Sequence, residues 1–210
     1  MAGACGYENM YEGGYGVSNT TLSGALFGQG EACGSCYELL CDAKSVPQWC
    51  LPDRKRIKVT ATNLSPPYGA GWCNQPNHHF DLSMPAYLTI ARYKAGIVPV
   101  FYRRVPCLRE GGLRFSMKGN AYYNVVVISN VGGSGDVNGV WVNGDGFGAD
   151  NLQALHRNWG ANWVYTIGNL RGKALSFRVT LGDGQTLTFY NVILPNWQFG
   201  QTFFSNLQFK

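Results

Sequence analysis

Arg103-Arg104-Val105-Pro106-Cys107-Leu108-Arg109-Glu110-Gly111-Gly112 is where the chain changes character. Cys107 closes a run of seven cysteines that opens at Cys5, and none follows it through Lys210. A step that sharp marks a boundary just after Cys107, near Glu110-Gly111-Gly112. At 210 residues the chain then divides into two modules of ordinary domain size, residues 1–108 and 109–210. Closely spaced cysteines in so small a chain imply an oxidising compartment. Disulfides are a better reading than zinc, because Cys33-Gly34-Ser35-Cys36 has ligand-like spacing but no second C-x-x-C follows.

Composition narrows the class. The 28 glycines, few charges and abundant aromatics suit short strands and tight turns, since enough apolar surface exists to offset ordering entropy. The net charge of +5 is dispersed except at Arg54-Lys55-Arg56 and Arg103-Arg104. Without interleaved aromatics these clusters do not make a nucleic-acid stripe, and no nucleic acid is expected as a partner. A mild basic balance fits weak attraction to polyanions such as acidic polysaccharides. No apolar run reaches transmembrane length. The chain begins Met1-Ala2-Gly3-Ala4-Cys5 with no signal peptide, which is read as a missing front end.

In the front module, alternation predicts strands over Ile57–Thr62 and Val98–Arg103. Between them Ser83 to Gly96 carries helix signals: a serine cap, Pro85 in the first turn, an apolar face of Tyr87, Ile90 and Ala91, and a terminating glycine. The back module reads as strands at Leu113–Lys118, Tyr122–Ile128, Val140–Val142, Trp163–Ile167, Leu175–Leu181 and Leu187–Ile193. Asp183-Gly184 signals a hairpin and Asn143-Gly144 a turn. Several short strands so spaced predict a β-sandwich. The fold class is all-β with few short helices.

Asp81, within His78-His79-Phe80-Asp81-Leu82-Ser83, stands just ahead of that helix, where an aspartate is more often a cap than a catalyst. Its functional reading is a general acid or a hydrogen-bonding group in a groove. Glycoside hydrolysis uses two carboxyl groups about 5–10 Å apart, and Thr60-Ala61-Thr62-Asn63 supplies no acid. His78 and His79 are adjacent, so in a strand they face opposite ways and do not share a metal. No metal or cofactor is expected. Of the back-half aromatics, Tyr122 and Tyr123 face opposite sides if extended, so at most one is exposed. Trp159 and Trp163 flank Gly160-Ala161-Asn162. A row of exposed rings would stack on sugar rings and hold a polysaccharide without cutting it.

These residues resemble the plant α-expansins along essentially the whole chain. The motifs are Gly3-Ala4-Cys5-Gly6-Tyr7, Cys33-Gly34-Ser35-Cys36-Tyr37-Glu38, Gln48-Trp49-Cys50-Leu51-Pro52, Gly71-Trp72-Cys73-Asn74, His78 to Ser83 and Arg103 to Cys107. The back half adds Ser129-Asn130-Val131-Gly132-Gly133, Arg157-Asn158-Trp159-Gly160 and Phe199-Gly200-Gln201-Thr202-Phe203. The resemblance implies a six-stranded double-psi β-barrel followed by an immunoglobulin-like carbohydrate-binding sandwich. It implies disulfides Cys5–Cys33, Cys36–Cys107 and Cys41–Cys50. It also implies a groove of Asp81, Thr60, Asn63 and His79, similar to that of family-45 endoglucanases but keeping only the proton donor, at Asp81. By the same resemblance Tyr122 or Tyr123, and Trp159, map to the polysaccharide-stacking surface, and Trp163, from the residue reading, is expected to join them.

Three departures stand out. The family's first barrel strand, with Thr-Phe-Tyr-Gly, would precede Met1. The family's Asn-Phe-Cys-Pro-Pro is here Asn63-Leu64-Ser65-Pro66-Pro67, leaving Cys73, the usual partner of that cysteine, as a free thiol. A tryptophan usual before the Arg-Asn-Trp motif is Leu152 here, while Trp141 is extra. Asn63-Leu64-Ser65 becomes a glycosylation sequon beside Asn19-Thr20-Thr21, and a glycan on Asn63 would crowd the groove. The expected function is non-hydrolytic loosening of plant cell walls by a secreted, monomeric protein acting on cellulose and xyloglucan-like matrix glucans, with peripheral membrane association only in secretory transit. The alternatives are an endoglucanase, a carbohydrate-binding protein without loosening activity, and a nonfunctional gene product.

Overall fold

The computed structural model describes residues 3–53, 55–68, 71–145 and 151–210. Met1, Ala2 and Arg54, which figure in the sequence reading, lie outside them. The front half holds β1 (Asn19–Leu22), α1 (Gly24–Phe27), β2 (Cys36–Cys41), β3 (Arg56–Leu64), β4 (Phe80–Leu82), α2 (Met84–Ile90) and β5 (Val100–Val105). Its five strands form one sheet in the order β4-β1-β3-β2-β5. The β1–β3 pair is parallel and the others are antiparallel. The six strands implied by the resemblance are five here among the described residues, so β4 and β5 are free edges.

β3 begins one residue before the predicted strand and continues to Leu64, because β2 pairs along its first half and β1 along its second. β5 lies two residues later than predicted, since Asp42 N–H captures the Pro99 carbonyl before the ladder starts. The single helix expected from Ser83 to Gly96 is broken. Ser83 caps α2 with its side chain, but Ala91 is extended and bridges to Cys50, and Arg92 N–H bonds to the Trp49 carbonyl. The Cys41–Cys50 loop takes over the backbone there, and only a 3-10 turn, Tyr93–Ala95, resumes before Gly96.

The back half packs two sheets face to face. One runs β10 (His156–Trp159), β11 (Asn162–Tyr165), β7 (Tyr123–Ser129), β6 (Arg114–Asn120), β14 (Thr202–Phe204). The other runs β13 (Thr186–Ile193), β12 (Leu175–Leu181), β8 (Val137–Gly144), β9 (Gln153–Ala154). Alternation along each strand delivers Phe115, Met117, Val126, Ile128, Trp163, Phe177, Val179 and Phe189 to the shared core. Phe115 stacks on Phe177 at 5.0 Å between ring centres and meets Phe189 edge-on at 5.2 Å. Asn143-Gly144, expected as a turn, instead ends β8, because β12 pairs with it as far as Leu175.

Three disulfides, Cys5–Cys33, Cys36–Cys107 and Cys41–Cys50, tie the front half together, and Cys73 is free. The halves dock through backbone. A Cβ on Gly30 would fall 2.7 Å from Gly160, and one on Gly34 would fall 2.4 Å from the Gly135 carbonyl oxygen. Around these contacts Arg104 pairs with Asp136 at 3.0 Å and Lys118 with Glu8 at 2.7 Å. Arg157 donates to the carbonyls of Gly160 and Val137 while its guanidinium lies 4.6 Å from the Trp163 ring centre.

Candidate functional site

A cleft of about 960 Å3 opens on the front half, and its lining includes Trp72, His79, Asp81, Tyr93, Lys94 and Tyr102. It lies beside β4 and β5, the outer strands of the front sheet, and Leu39, Leu82, Val98 and Val100 are among the apolar residues of its lining. Simple parity along the chain sets the chemistry of this site. His79 and Asp81 are two apart on an extended segment and meet each other, while His78, which lines the same cleft, meets the Tyr102 hydroxyl through Nδ1 at 2.5 Å. Phe80, between His79 and Asp81, packs on Tyr37 and Tyr102 at 5.2 and 4.9 Å and anchors the segment.

Asp81 is held from three directions. Ser65 Oγ donates to Oδ2 at 2.7 Å, His79 Nε2 lies 3.0 Å from Oδ1, and Cys73 Sγ approaches Oδ2 at 3.7 Å. Its backbone carbonyl accepts from Thr20 Oγ1 at 3.0 Å. Partial burial pushes the carboxyl pKa up, but the bonds from Ser65 and His79, the charge of His79 and the contact from Cys73 outweigh it, and the net shift is downward. A general acid requires the opposite, a carboxyl kept protonated by an upward shift. Among the described residues of the lining Asp81 is the sole carboxylate.

The other residues of the expected groove are dispersed. Asn63 shares the face of Asp81 through the register Thr21↔Asp81 and Thr21↔Asn63. Its Oδ1 is occupied by the N–H groups of Ala4, at 2.5 Å, and Leu64, at 2.9 Å. Thr60 is buried and lines a separate, smaller hollow with Tyr15 and Leu108, where its Oγ1 accepts from Arg109 Nη2 at 2.7 Å. Neither lines the cleft. Trp72 does, at 64% exposure. Sequence reasoning misses it as a site residue, because a lone tryptophan in a glycine-rich loop carries no periodicity.

The back-half aromatics also sort differently from expectation. Trp163 is 4% exposed and belongs to the sandwich core, not to a sugar-stacking surface. Its register partner Val126 faces inward, and pairing fixes the face of every residue on β11. Trp159, paired with Asn162, falls on the outer face and is 42% exposed. Tyr122 and Tyr123 are both exposed, at 89% and 41%. The expectation that only one could be exposed assumed an extended pair, but Tyr122 lies in the turn before β7. There Asn120 Oδ1 accepts from the N–H of both tyrosines. Near Trp159, Val127 and Ala161 join the apolar cluster of Cys5 and Tyr7 from the front half. Ideal strand spacings put Tyr123 and Trp159 on the order of 15 Å apart.

Comparison with known proteins places this geometry. Residues 113–194 match the family model of the expansin C-terminal domain, and residues 19–102 match a model described as lytic transglycolase. Expansin-A12 of Arabidopsis thaliana is 54% identical over 207 residues, covering 98% of this chain and 81% of the relative. Expansin-A25 of Oryza sativa subsp. japonica is 51% identical over 216 residues, covering 100% and 83%. Among solved structures, the apo expansin of Clavibacter michiganensis superposes with a TM-score of 0.73 at 16% identity, covering 98% of this chain and 88% of that one. A point mutant of that bacterial protein, with an aspartate replaced by asparagine and in complex with cellohexaose, superposes with a TM-score of 0.69 at 16% identity, covering 90% and 81%. At that identity the likeness is one of fold.

Proposed function

Because the chain belongs to the expansin family, we propose that it loosens plant cell walls by weakening contacts between cellulose and matrix glucans, without cutting a glycosidic bond. The observation that carries this reading is the lone, ionised Asp81. Hydrolysis at this cleft would need a protonated acid and a second carboxylate about 5–10 Å away, and the lining offers one carboxylate with a lowered pKa. An ionised carboxylate instead accepts hydrogen bonds from glucan hydroxyls, which supports binding and displacement of a chain. Trp72 and Tyr102 supply apolar ring faces in the same cleft.

In this reading the protein is secreted to the wall and divides near residue 108. Tyr122, Tyr123 and Trp159 of the back module hold cellulose while the front cleft engages a glucan of xyloglucan type. Asn19 and Asn63 are its glycan acceptor sites, which intact-mass measurement of the secreted protein checks. The deciding test applies the protein to heat-inactivated wall strips held under load at acidic pH, with reducing ends counted in parallel. The strips should extend with no new reducing ends. Asp81→Asn should weaken the effect about tenfold or more, since a hydrogen bond to a charged group contributes roughly 1.5–3 kcal/mol. Reducing ends that appear with the native protein and vanish with Asp81→Asn would make it an endoglucanase.

A further inference from the structure

Outside any role in holding a glucan, the side chains around Asp81 present a donor set. We infer that Cys73, His79 and Asp81 form a zinc site at the mouth of the cleft, with the fourth position open to water or Ser65. One ligand atom from each, the Cys73 sulfur, a ring nitrogen of His79 and a carboxylate oxygen of Asp81, lies within 4.8 Å of the other two. The closest approaches are 3.0 Å from His79 Nε2 to Asp81 Oδ1 and 3.7 Å from Cys73 Sγ to Asp81 Oδ2. Tetrahedral zinc, with bonds of about 2.0–2.3 Å to nitrogen, oxygen and sulfur, places its ligand atoms roughly 3.3–3.7 Å apart. The approaches to the two oxygens of Asp81 lie close to that range, and all three ligand atoms, Cys73 to His79 included, lie within 4.8 Å, so a small shift of the side chains closes the set on a metal ion.

The placement follows from the sequence. His79-Phe80-Asp81 puts two ligands on one face of an extended segment, and Phe80 fixes that segment in the barrel wall. Cys73 arrives from the loop that precedes β4, its sulfur in contact with Ser65 Oγ and partly accessible. Ser65 bonds the carboxylate of Asp81 and so orients one ligand, as outer-shell partners of metal ligands do. A thiolate, an imidazole and a carboxylate together favour zinc over magnesium or calcium, which take oxygen ligands, and three protein ligands leave zinc one exchangeable position. Binding converts the Cys73 thiol to a thiolate and releases its proton to solvent. No electron changes hands.

The inference does not depend on the glucan reading, and its test reads metal directly. Metal-free protein with its three disulfides intact and Cys73 in the thiol form is titrated with Zn2+ against a chromophoric chelator, and separately with Co2+, whose tetrahedral thiolate complexes absorb strongly. One equivalent should bind, with a thiolate-to-cobalt band that Zn2+ abolishes and with protection of Cys73 from a thiol-labelling reagent. Cys73→Ser should remove the band and weaken Zn2+ binding roughly tenfold or more, since loss of even an outer-shell partner costs about 10–100-fold. His79→Gln should weaken binding comparably. Ser65→Cys, which closes a disulfide onto Cys73 and so keeps the loop in place, should abolish binding in the oxidised protein and restore it on mild reduction that opens this partly exposed bond and leaves the three buried disulfides intact. Absence of the band, or Zn2+ affinity unchanged in Cys73→Ser and oxidised Ser65→Cys, overturns the site.

Discussion

Asp81 shows how a few directed bonds override burial in setting the charge state of a carboxyl group. Burial alone would raise its pKa, yet Ser65 and His79 bring it below the ordinary value of 3.8. A depressed pKa means that the carboxylate stabilises the fold above that ordinary value and loses its contribution as pH falls through the folded one. The difference in melting temperature between native protein and Asp81→Asn should therefore be level at neutral and mildly acidic pH and shrink below about pH 4. A difference that instead grows on acidification would mean that the carboxyl is protonated in the native fold. Trp159 and Trp163 make a second contrast at this scale. Trp159→Ala should fold normally and lose cellulose binding in a pull-down, because its ring is on the surface. Trp163→Ala should cost about 3–5 kcal/mol of stability, because its ring is core.

Elements here are decided by partners as much as by local signals. α2 starts where its cap says: Ser83 Oγ accepts from Ala86 N–H at 3.4 Å and also donates to the Val17 carbonyl. Ser83→Ala should lower stability by about 1 kcal/mol, typical of a lost N-cap, measurable by thermal denaturation. A change near zero would show that the Val17 and Ala86 contacts contribute nothing net. The end of the helix is not legible in the sequence, because no local signal at Ala91 announces that the Trp49–Cys50 backbone will claim it. The β12–β13 hairpin is legible almost to the residue, since Asp183-Gly184 and the alternating apolar residues on either side are sufficient. β1, β2, β4, β9, β10 and β14 are not. The short ones offer too few residues for a period to emerge, and β2 is too apolar to alternate clearly.

At the scale of the molecule, the two halves meet where four glycines remove the side chains that would hold them apart. Gly30 faces Gly160, and Gly34 faces Gly135. At Gly30, φ of +104° adds a conformation that other residues rarely adopt. Gly30→Ala should wedge the halves apart and cost about 1–3 kcal/mol, as overpacking does. The expected signs are a lower melting temperature and faster proteolysis near residues 108–112, while the sandwich keeps its own core. A variant indistinguishable from native in both measurements would show that this contact does not hold the halves together. The docking also matters for the surface. It draws Val127 and Ala161 of the five-stranded sheet into the apolar cluster of the front half and leaves Tyr123 and Trp159 exposed.

By itself the sequence determined the division of the chain: cysteines confined to the front half, and short strands and turns behind. These follow from composition, covalent connectivity and local period, which depend on near neighbours in the chain. Only the tertiary structure decided that Trp163 is core and Trp159 surface, that Thr60 serves Arg109 in another hollow, and that Cys73 meets His79 and Asp81. Each of those depends on strand register or loop path between distant segments, where a shift of one residue reverses a face and no local signal records the choice.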